Sequence, residues 1–413
     1  MDVTSQPAGD AVARALQAWR QGGHNKAVAT LSKAISNGDM RALGLLMQLA
    51  GQPDAPDGIE TRIHEAVSAA PASPARNRHL AFLMAAGRGC SSTPEAALAL
   101  RRQDMAAGDS GAATELGLLA LITGHRAIAE ALLMKAARAG SGHAIAALLR
   151  LGTQTGAVAP VARQLAPALA KSGHPLAATL VQASANLPVA EANADAGDSI
   201  PHLPAGLVAA LDHIPHTGET LSDAPRIVRH DGFLPAAACD YLAAGGVPFL
   251  QPARIFDPAT GQSRPDPYRT SLTASLPDGA MDLVLWAIKL RMARISGAGF
   301  AQGEPLSLLV YRPGEEYRAH FDFLTEDGGT ASADLARRGQ RIATSLVKLN
   351  AEYQGGDTHF PRLGISWTGR QGDGLSFDNV DAEGIGDKRT LHAGEPVTTG
   401  MKVLASLWLR ALP

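Results

Sequence analysis

The chain has 413 residues, 46% of them hydrophobic, and a formal net charge of −2. That length exceeds one ordinary core and points to two domains, and the near-neutral charge gives no electrostatic reason to expect nucleic acid or an anionic membrane. Cys90 and Cys239 are too few and too far apart for a disulfide framework or a metal site, the start MDVTSQPAGDAVARAL lacks the parts of a secretory signal, and no eighteen apolar residues run together, so a soluble cytoplasmic protein is expected.

The first part reads as helical hairpins. Apolar residues recur at helical spacing in AVATLSKAISNG, PEAALALRRQDMAAG and HRAIAEALLMKAARAG. Gly38, Gly108, Gly140 and Gly173 each precede an alanine by four (Ala42, Ala112, Ala144, Ala177), and Pro71 with Ala75 fills the gap. Successive marks lie 32 to 37 residues apart, near the period of roughly 34 of tetratricopeptide-like units. Each glycine would end one helix in a left-handed cap, and each alanine would let the next pack closely. An irregular helical bundle is the alternative; both give an all-α domain over residues 1–185.

Residues 186–203, NLPVAEANADAGDSIPHL, have no apolar period and read as a linker. The second domain, 204–413, begins with a short strand over Pro225–Val228, a helix in FLPAAACDYLAAGG, and one helix over 278–297 closed by Gly297. From Pro305 short β segments follow: LSLLVYR, RIATSLVKLN, DTHFP, DGLSF, TLHA and MKVLASLWL. Such a series indicates a sandwich or barrel, of which the double-sheet jelly roll is one form.

Even offsets along a strand share a face. His320 and Asp322 can therefore serve one centre, with His392 arriving from a distant strand. Two imidazoles and a carboxylate are the donor set that holds non-haem Fe(II) with open coordination positions. Lys402 shares a face with Leu404, Ser406 and Trp408, whereas Met401, Val403, Ala405, Leu407 and Leu409 form a wholly apolar face suited to packing on a helix. An interior ammonium needs an anion, and the far carboxylate of a bound 2-oxoacid would provide one.

In order, the elements FLPAAACDYL, Arg269-Thr270-Ser271, YRPGEEYRAHFDF, QRIAT, LVKLN, GGDTHFP, GDGLSF and HAGEPVTTGMK occupy the chain from about Arg226 to Leu412. This region resembles prolyl 4-hydroxylases of the iron and 2-oxoglutarate dioxygenase superfamily. The resemblance implies a double-stranded β-helix (jelly roll) with flanking helices. It implies His320, Asp322 and His392 as catalytic Fe(II) ligands, Lys402 on the distal carboxylate of 2-oxoglutarate, and Tyr311 and Thr358 hydrogen-bonding that cosubstrate. Tyr317, Arg341, Trp408 and Arg269 would face the substrate. Cofactors would be Fe(II), 2-oxoglutarate and O2, with ascorbate as a conceivable auxiliary.

The implied activity is hydroxylation, with proline in a peptide or protein the first choice of target. A free amino acid or small natural product as substrate, or an idle binding scaffold, are the alternatives. The carboxylate ligand argues against halogenation. The helical half carries no catalytic constellation; it would bind a peptide or protein partner, or serve as a stabilising or homodimer-forming domain. Relatives often carry Tyr where Lys348 stands, and Lys348 reads as an ordinary edge-strand lysine or as an aid to Lys402. The insertion TEDGGTASADLARRG reads as a loop over the site, Asp378 and Asp381 as loop solubilisers, and His79, His143, His174 and His359 as structural or exposed.

Overall fold

The computed structural model describes residues 8–155, 159–185, 187, 202–214, 218–257, 262–265, 270–325 and 330–411. The expected linker lies almost wholly outside them, and Arg269 lies outside them too. Among the described residues, no helix is long and apolar enough to cross a membrane.

Helices run from Ala8–Arg20 to Ala177–Ser184, most of them about thirteen residues long. Gly38, Gly108, Gly140 and Gly173 all have positive φ, from +72° to +97°, so the helix-ending role expected of them is realised. Ala42, Ala112 and Ala144 are fully buried at the start of the following helices. Of the other two marks, Ala177 is half-buried and Ala75 is exposed, the latter on a helix that opens on a different cap, Ser73 Oγ accepting from the Arg76 N–H with Pro74 at the first position. The helical region is consistent with a tetratricopeptide-like domain.

Contacts divide the chain elsewhere than at residue 185. One compact unit is Met1–Leu119 with Pro277–Trp286; the other is Ala120–Leu276 with Ala287–Pro413. The later helices fall in the second unit for a visible reason. Arg150, on Gly142–Thr155, makes a bidentate ion pair (2.7 and 3.1 Å) with Asp240 on the helix Ala236–Gly246. The helix expected over 278–297 begins later, at Leu283, where Asp282 caps the Leu285 N–H; Gly297, at φ +73°, follows its end.

The strands are β1 (Glu219–Asp223), β2 (Arg226–His230), β3 (Gln251–Pro252), β4 (Arg254–Asp257), β5 (Gln262–Pro265), β6 (Leu272–Ser275), β7 (Ser307–Tyr311), β8 (Tyr317–His320), β9 (Arg341–Lys348), β10 (Tyr353–Gly355), β11 (Thr358–Phe360), β12 (Ile365–Trp367), β13 (Gly374–Asp378), β14 (His392–Gly394), β15 (Val397–Gly400) and β16 (Lys402–Arg410). A large antiparallel sheet has the order β1-β2-β13-β9-β16-β7-β6-β3, and a smaller one β12-β11-β14-β8. These are the two sheets of a jelly-roll core, not a closed barrel. β9 and β16 are buried on both faces: one looks into the core and the site, while on the other Ser345 bonds to the Met292 carbonyl of the helix behind. The insertion before Arg341 is not all loop, since Thr330–Arg338 is helical.

Candidate active site

Strand register assembles the site. His392 opens β14 and stands opposite His320, the last residue of β8. Asp322 lies two residues past His320. Its Oδ1 is 3.7 Å from His320 Nε2 and its Oδ2 is 3.6 Å from His392 Nε2. The three side chains present ligand atoms all within 4.8 Å of one another.

Each imidazole is held by its other nitrogen. His320 Nδ1 bonds to the Arg318 carbonyl (2.9 Å) and His392 Nδ1 to the Thr390 carbonyl (3.0 Å). A carbonyl can only accept, so each Nδ1 carries a proton and each Nε2 faces the carboxylate. Thr344 Oγ1 donates to Asp322 Oδ2 (2.7 Å), and Asn379 Nδ2 donates to Thr344 Oγ1 (3.0 Å). Burial opposes the charge on Asp322, but the two imidazoles, Arg341 and the Thr344 hydroxyl outweigh it and hold the pKa below its ordinary value. Two imidazoles with Nδ1 tied to carbonyls and Nε2 turned toward an ionised, oriented carboxylate are the donor set that a divalent iron ion needs. The residues present fit the ion.

Two rows of side chains run away from that centre. Thr344, Leu346 and Lys348 alternate inward from β9, opposite Trp408, Ser406 and Leu404 of β16. Lys402 ends the second row, opposite Tyr311 of β7. The cavity between metal end and lysine end is lined by His320, Asp322, His392, Tyr311, Tyr317, Thr358, Lys402 and Trp408, with Leu309, Leu346 and Leu404 as apolar walls.

The lysine end is unusual electrostatically. Lys402 is 1% exposed; its Nζ donates to the Gly356 carbonyl (2.6 Å) and lies 5.1 Å from the centre of the Tyr311 ring. Burial, then the charge of Lys348, push its pKa down to about 7. Lys348 is fully buried on the central strand β9, so the edge-strand reading is corrected. Its Nζ bonds to the Tyr353 hydroxyl and faces the Trp367 ring, and burial pushes its pKa down to about 8. Among the described residues, neither ammonium forms an ion pair with a carboxylate. Asp357, joined by Asp373 at Lys348, favours the charges only from a distance and does not offset burial, so a dicarboxylate reaching from the metal end would supply the missing charge.

The remaining expected residues fall as follows. Tyr317 stacks on His320 (centroids 3.5 Å apart, planes 18°). Trp408 lines the cavity, and its indole N–H has no acceptor. Arg341 stands behind Trp408 instead of lining the cavity: its guanidinium lies 4.1 Å from the indole and is held bidentately by Glu304 (2.7 and 3.0 Å). Arg410 also binds Glu304, and it pairs with Asp334 of the Thr330–Arg338 helix. His359 bonds to Ser366 and takes no part in the triad. Asp381 is a loop organiser, its Oδ1 accepting from the Glu383 and Ile385 N–H groups.

The sequence reading missed Thr344, Asn379, Tyr353 and Glu304. Even spacing along β9 could have pointed to Thr344. Nothing local marks Asn379, in the polar stretch after β13, as the group that orients it.

Two facing antiparallel sheets with a His–Asp–His donor set at one end of their cavity and a buried lysine at the other define a non-haem iron oxygenase of the 2-oxoacid type. The profile of the 2OG-Fe(II) oxygenase superfamily matches residues 306–410, and the chain belongs to that family. It is 32% identical over 206 residues to prolyl 4-hydroxylase 1 of Arabidopsis thaliana, covering 46% of this chain and 71% of that protein. It is 34% identical over 187 residues to prolyl 4-hydroxylase subunit alpha-1 of Rattus norvegicus, covering 45% of this chain. That match spans only 35% of the rat protein's length. Among solved structures, a viral collagen prolyl hydroxylase from Paramecium bursaria chlorella virus-1, in complex with 2OG, is 25% identical. The match covers 45% of this chain and 96% of that one, with a TM-score of 0.35.

Proposed function

We propose that this chain is an Fe(II)- and 2-oxoglutarate-dependent hydroxylase that acts on proline within a peptide or protein. The observation that carries the reading is the meeting of His320, Asp322 and His392 at one end of an apolar cavity whose other end is a buried, uncompensated Lys402. Proline as the target rests on the prolyl 4-hydroxylases among the relatives, the Arabidopsis protein above all.

The bound iron would supply dioxygen activation coupled to decarboxylation of 2-oxoglutarate to succinate. The protein's share is placement. His320 and His392 offer Nε2 because the Arg318 and Thr390 carbonyls hold the Nδ1 protons. Asp322 is aimed because Thr344 and Asn379 bond in series behind it. Lys402, with Tyr311 and Thr358 beside it, receives the distal carboxylate, while Leu309, Leu346 and Leu404 keep water from the cosubstrate. Tyr317 and Trp408, at the metal end, position the target C–H bond. The helical domain aids substrate binding through its stacked hairpins.

The test is succinate formation from 2-oxoglutarate with proline-containing peptides, combined with mass spectrometry for a gain of one oxygen on proline. Stimulation by peptides but not by free proline is expected. Stimulation by free amino acids alone would move the assignment to a small-molecule hydroxylase, and no 2-oxoglutarate consumption under any condition would leave a binding scaffold.

A further inference from the structure

A second cavity, ≈ 400 Å³, lies in the same compact unit but away from the iron end. Its walls are the turn 121–124, the end of the helix Leu207–Asp212 with His213, the turn 232–235 after β2, and Arg291. Arg291 carries the argument. The residue is 4% exposed, and the cause of its lowered pKa is burial, with no charged partner contributing. Its Nη1 donates to the His213 carbonyl (3.1 Å), and its guanidinium lies 5.5 Å from the Phe233 ring centre. Its Nε is buried and meets no acceptor. Among the described residues, no carboxylate lines the cavity.

A buried guanidinium with five donors and one carbonyl acceptor is under-satisfied, and its burial is costly unless an anion joins it. Elsewhere in the same unit the chain supplies that anion: Arg150 has Asp240, and Arg341 has Glu304. At Arg291 the position is left to a cavity. The rest of the lining is apolar: Leu121, Ile122, Phe233 and Pro235 are set around it, with exposed His213 at the rim. One fixed cation favours one negative charge, and apolar walls favour a hydrocarbon body over a fully hydrated phosphate.

We propose that this cavity is a binding site for a small organic carboxylate, whose head pairs with Arg291 and whose apolar body lies against Phe233, Pro235 and the 121–124 turn. The site is separate from the cosubstrate cavity, and it stands whether or not the chain hydroxylates proline.

Benzoate is the probe, benzamide its neutral match and inorganic phosphate the hydrated anion. The titration is calorimetric and uses the full chain carrying Lys402→Met, which removes the other anion-seeking pocket. Benzoate should bind one per chain, at least tenfold more tightly than benzamide or phosphate. Adding Arg291→Met should weaken benzoate at least tenfold, and Arg291→Lys should restore part of the loss. Equal binding of benzoate and benzamide, preference for phosphate, absence of benzoate binding, or indifference to Arg291→Met would each overturn the proposal. Should Arg291→Met fold poorly, the contrast among the three probes on the Lys402→Met chain decides alone.

Discussion

The first helical unit and the cosubstrate cavity both bury charge, and they treat it in opposite ways. Among the helices, Arg101 is 1% exposed and meets Asp104, Asp109 and Glu115, while Arg78 meets Asp282. Carboxylates outnumber guanidiniums there, and burial together with Asp282 pushes Glu115 up to about 7. At the lysine end the sign is reversed: Lys348 and Lys402 are buried with a hydroxyl and a carbonyl as partners, and among the described residues no carboxylate forms an ion pair with either. A charge cluster closed on itself holds helices together. A cluster left open is a receptor for the charge it lacks.

The sharpest way to break this contrast is to remove a ligand. His320→Ala should abolish iron binding and lower succinate formation by at least about a thousandfold with the fold retained, since a metal site with two donors left holds iron poorly. Metal analysis and turnover on the same sample check it; substantial retained turnover would contradict the site.

Next in size is the comparison of two charge deletions. Arg101→Met strips Asp104 and Asp109 of their guanidinium and leaves Glu115 with only Arg78 at 3.9 Å, and should destabilise the helical unit by about 3–5 kcal/mol in denaturant unfolding. Lys402→Met removes an uncompensated charge, so stability without cosubstrate should hold or rise. It should raise the 2-oxoglutarate requirement by roughly 30-fold or more, the loss expected when one partner of a buried pair is truncated. Equal destabilisation by the two changes would erase the distinction between closed and open clusters.

The pH dependence separates the same two regions by sign. The folded pKa of Glu115 lies above its unfolded value, so its contribution is complete at low pH and is lost as pH rises through about 7. The folded pKa values of Lys402 and Lys348, about 7 and about 8, lie below the unfolded one. Their unfavourable contribution is therefore complete below about 7 and is relieved as pH climbs toward the unfolded value. Binding the distal carboxylate needs Lys402 charged, so 2-oxoglutarate affinity should fall as pH rises above about 7, and more steeply above about 8 where Lys348 loses its charge too. Lys348→Met should flatten that fall. A flat profile in the wild-type protein would count against an open cluster.

The smallest effect is expected behind the indole. Glu304→Gln loosens Arg341 over Trp408 and should raise the peptide KM several-fold while uncoupled 2-oxoglutarate turnover stays near wild type. Equal losses in both would make Glu304 merely structural.

Much of this was legible in the sequence because strand alternation is strict. The even row Lys402 to Trp408 places side chains on one face before any fold is known, whereas Asp322 joins His320 from two residues past the end of β8. The glycines of the helical hairpins were legible because a left-handed helix end tolerates little else. What stayed hidden depends on pairing between distant strands. The burial of Lys348 follows from β9 lying between β13 and β16, and Asn379 reaches Thr344 only once β13 pairs with β9. Arg341 was placed at the cavity wall because Glu304, 37 residues upstream, gave no sign that it would draw the guanidinium behind Trp408.

The claim on which the account turns is that an iron end and a lysine end are bridged by one dicarboxylate. Calorimetric titration of 2-oxoglutarate into the anaerobic Fe(II)-loaded chain tests it. One site per chain is predicted, strongly weakened both by Lys402→Met and by omission of the metal. Binding that is absent, or that survives both changes with unaltered affinity, would contradict it.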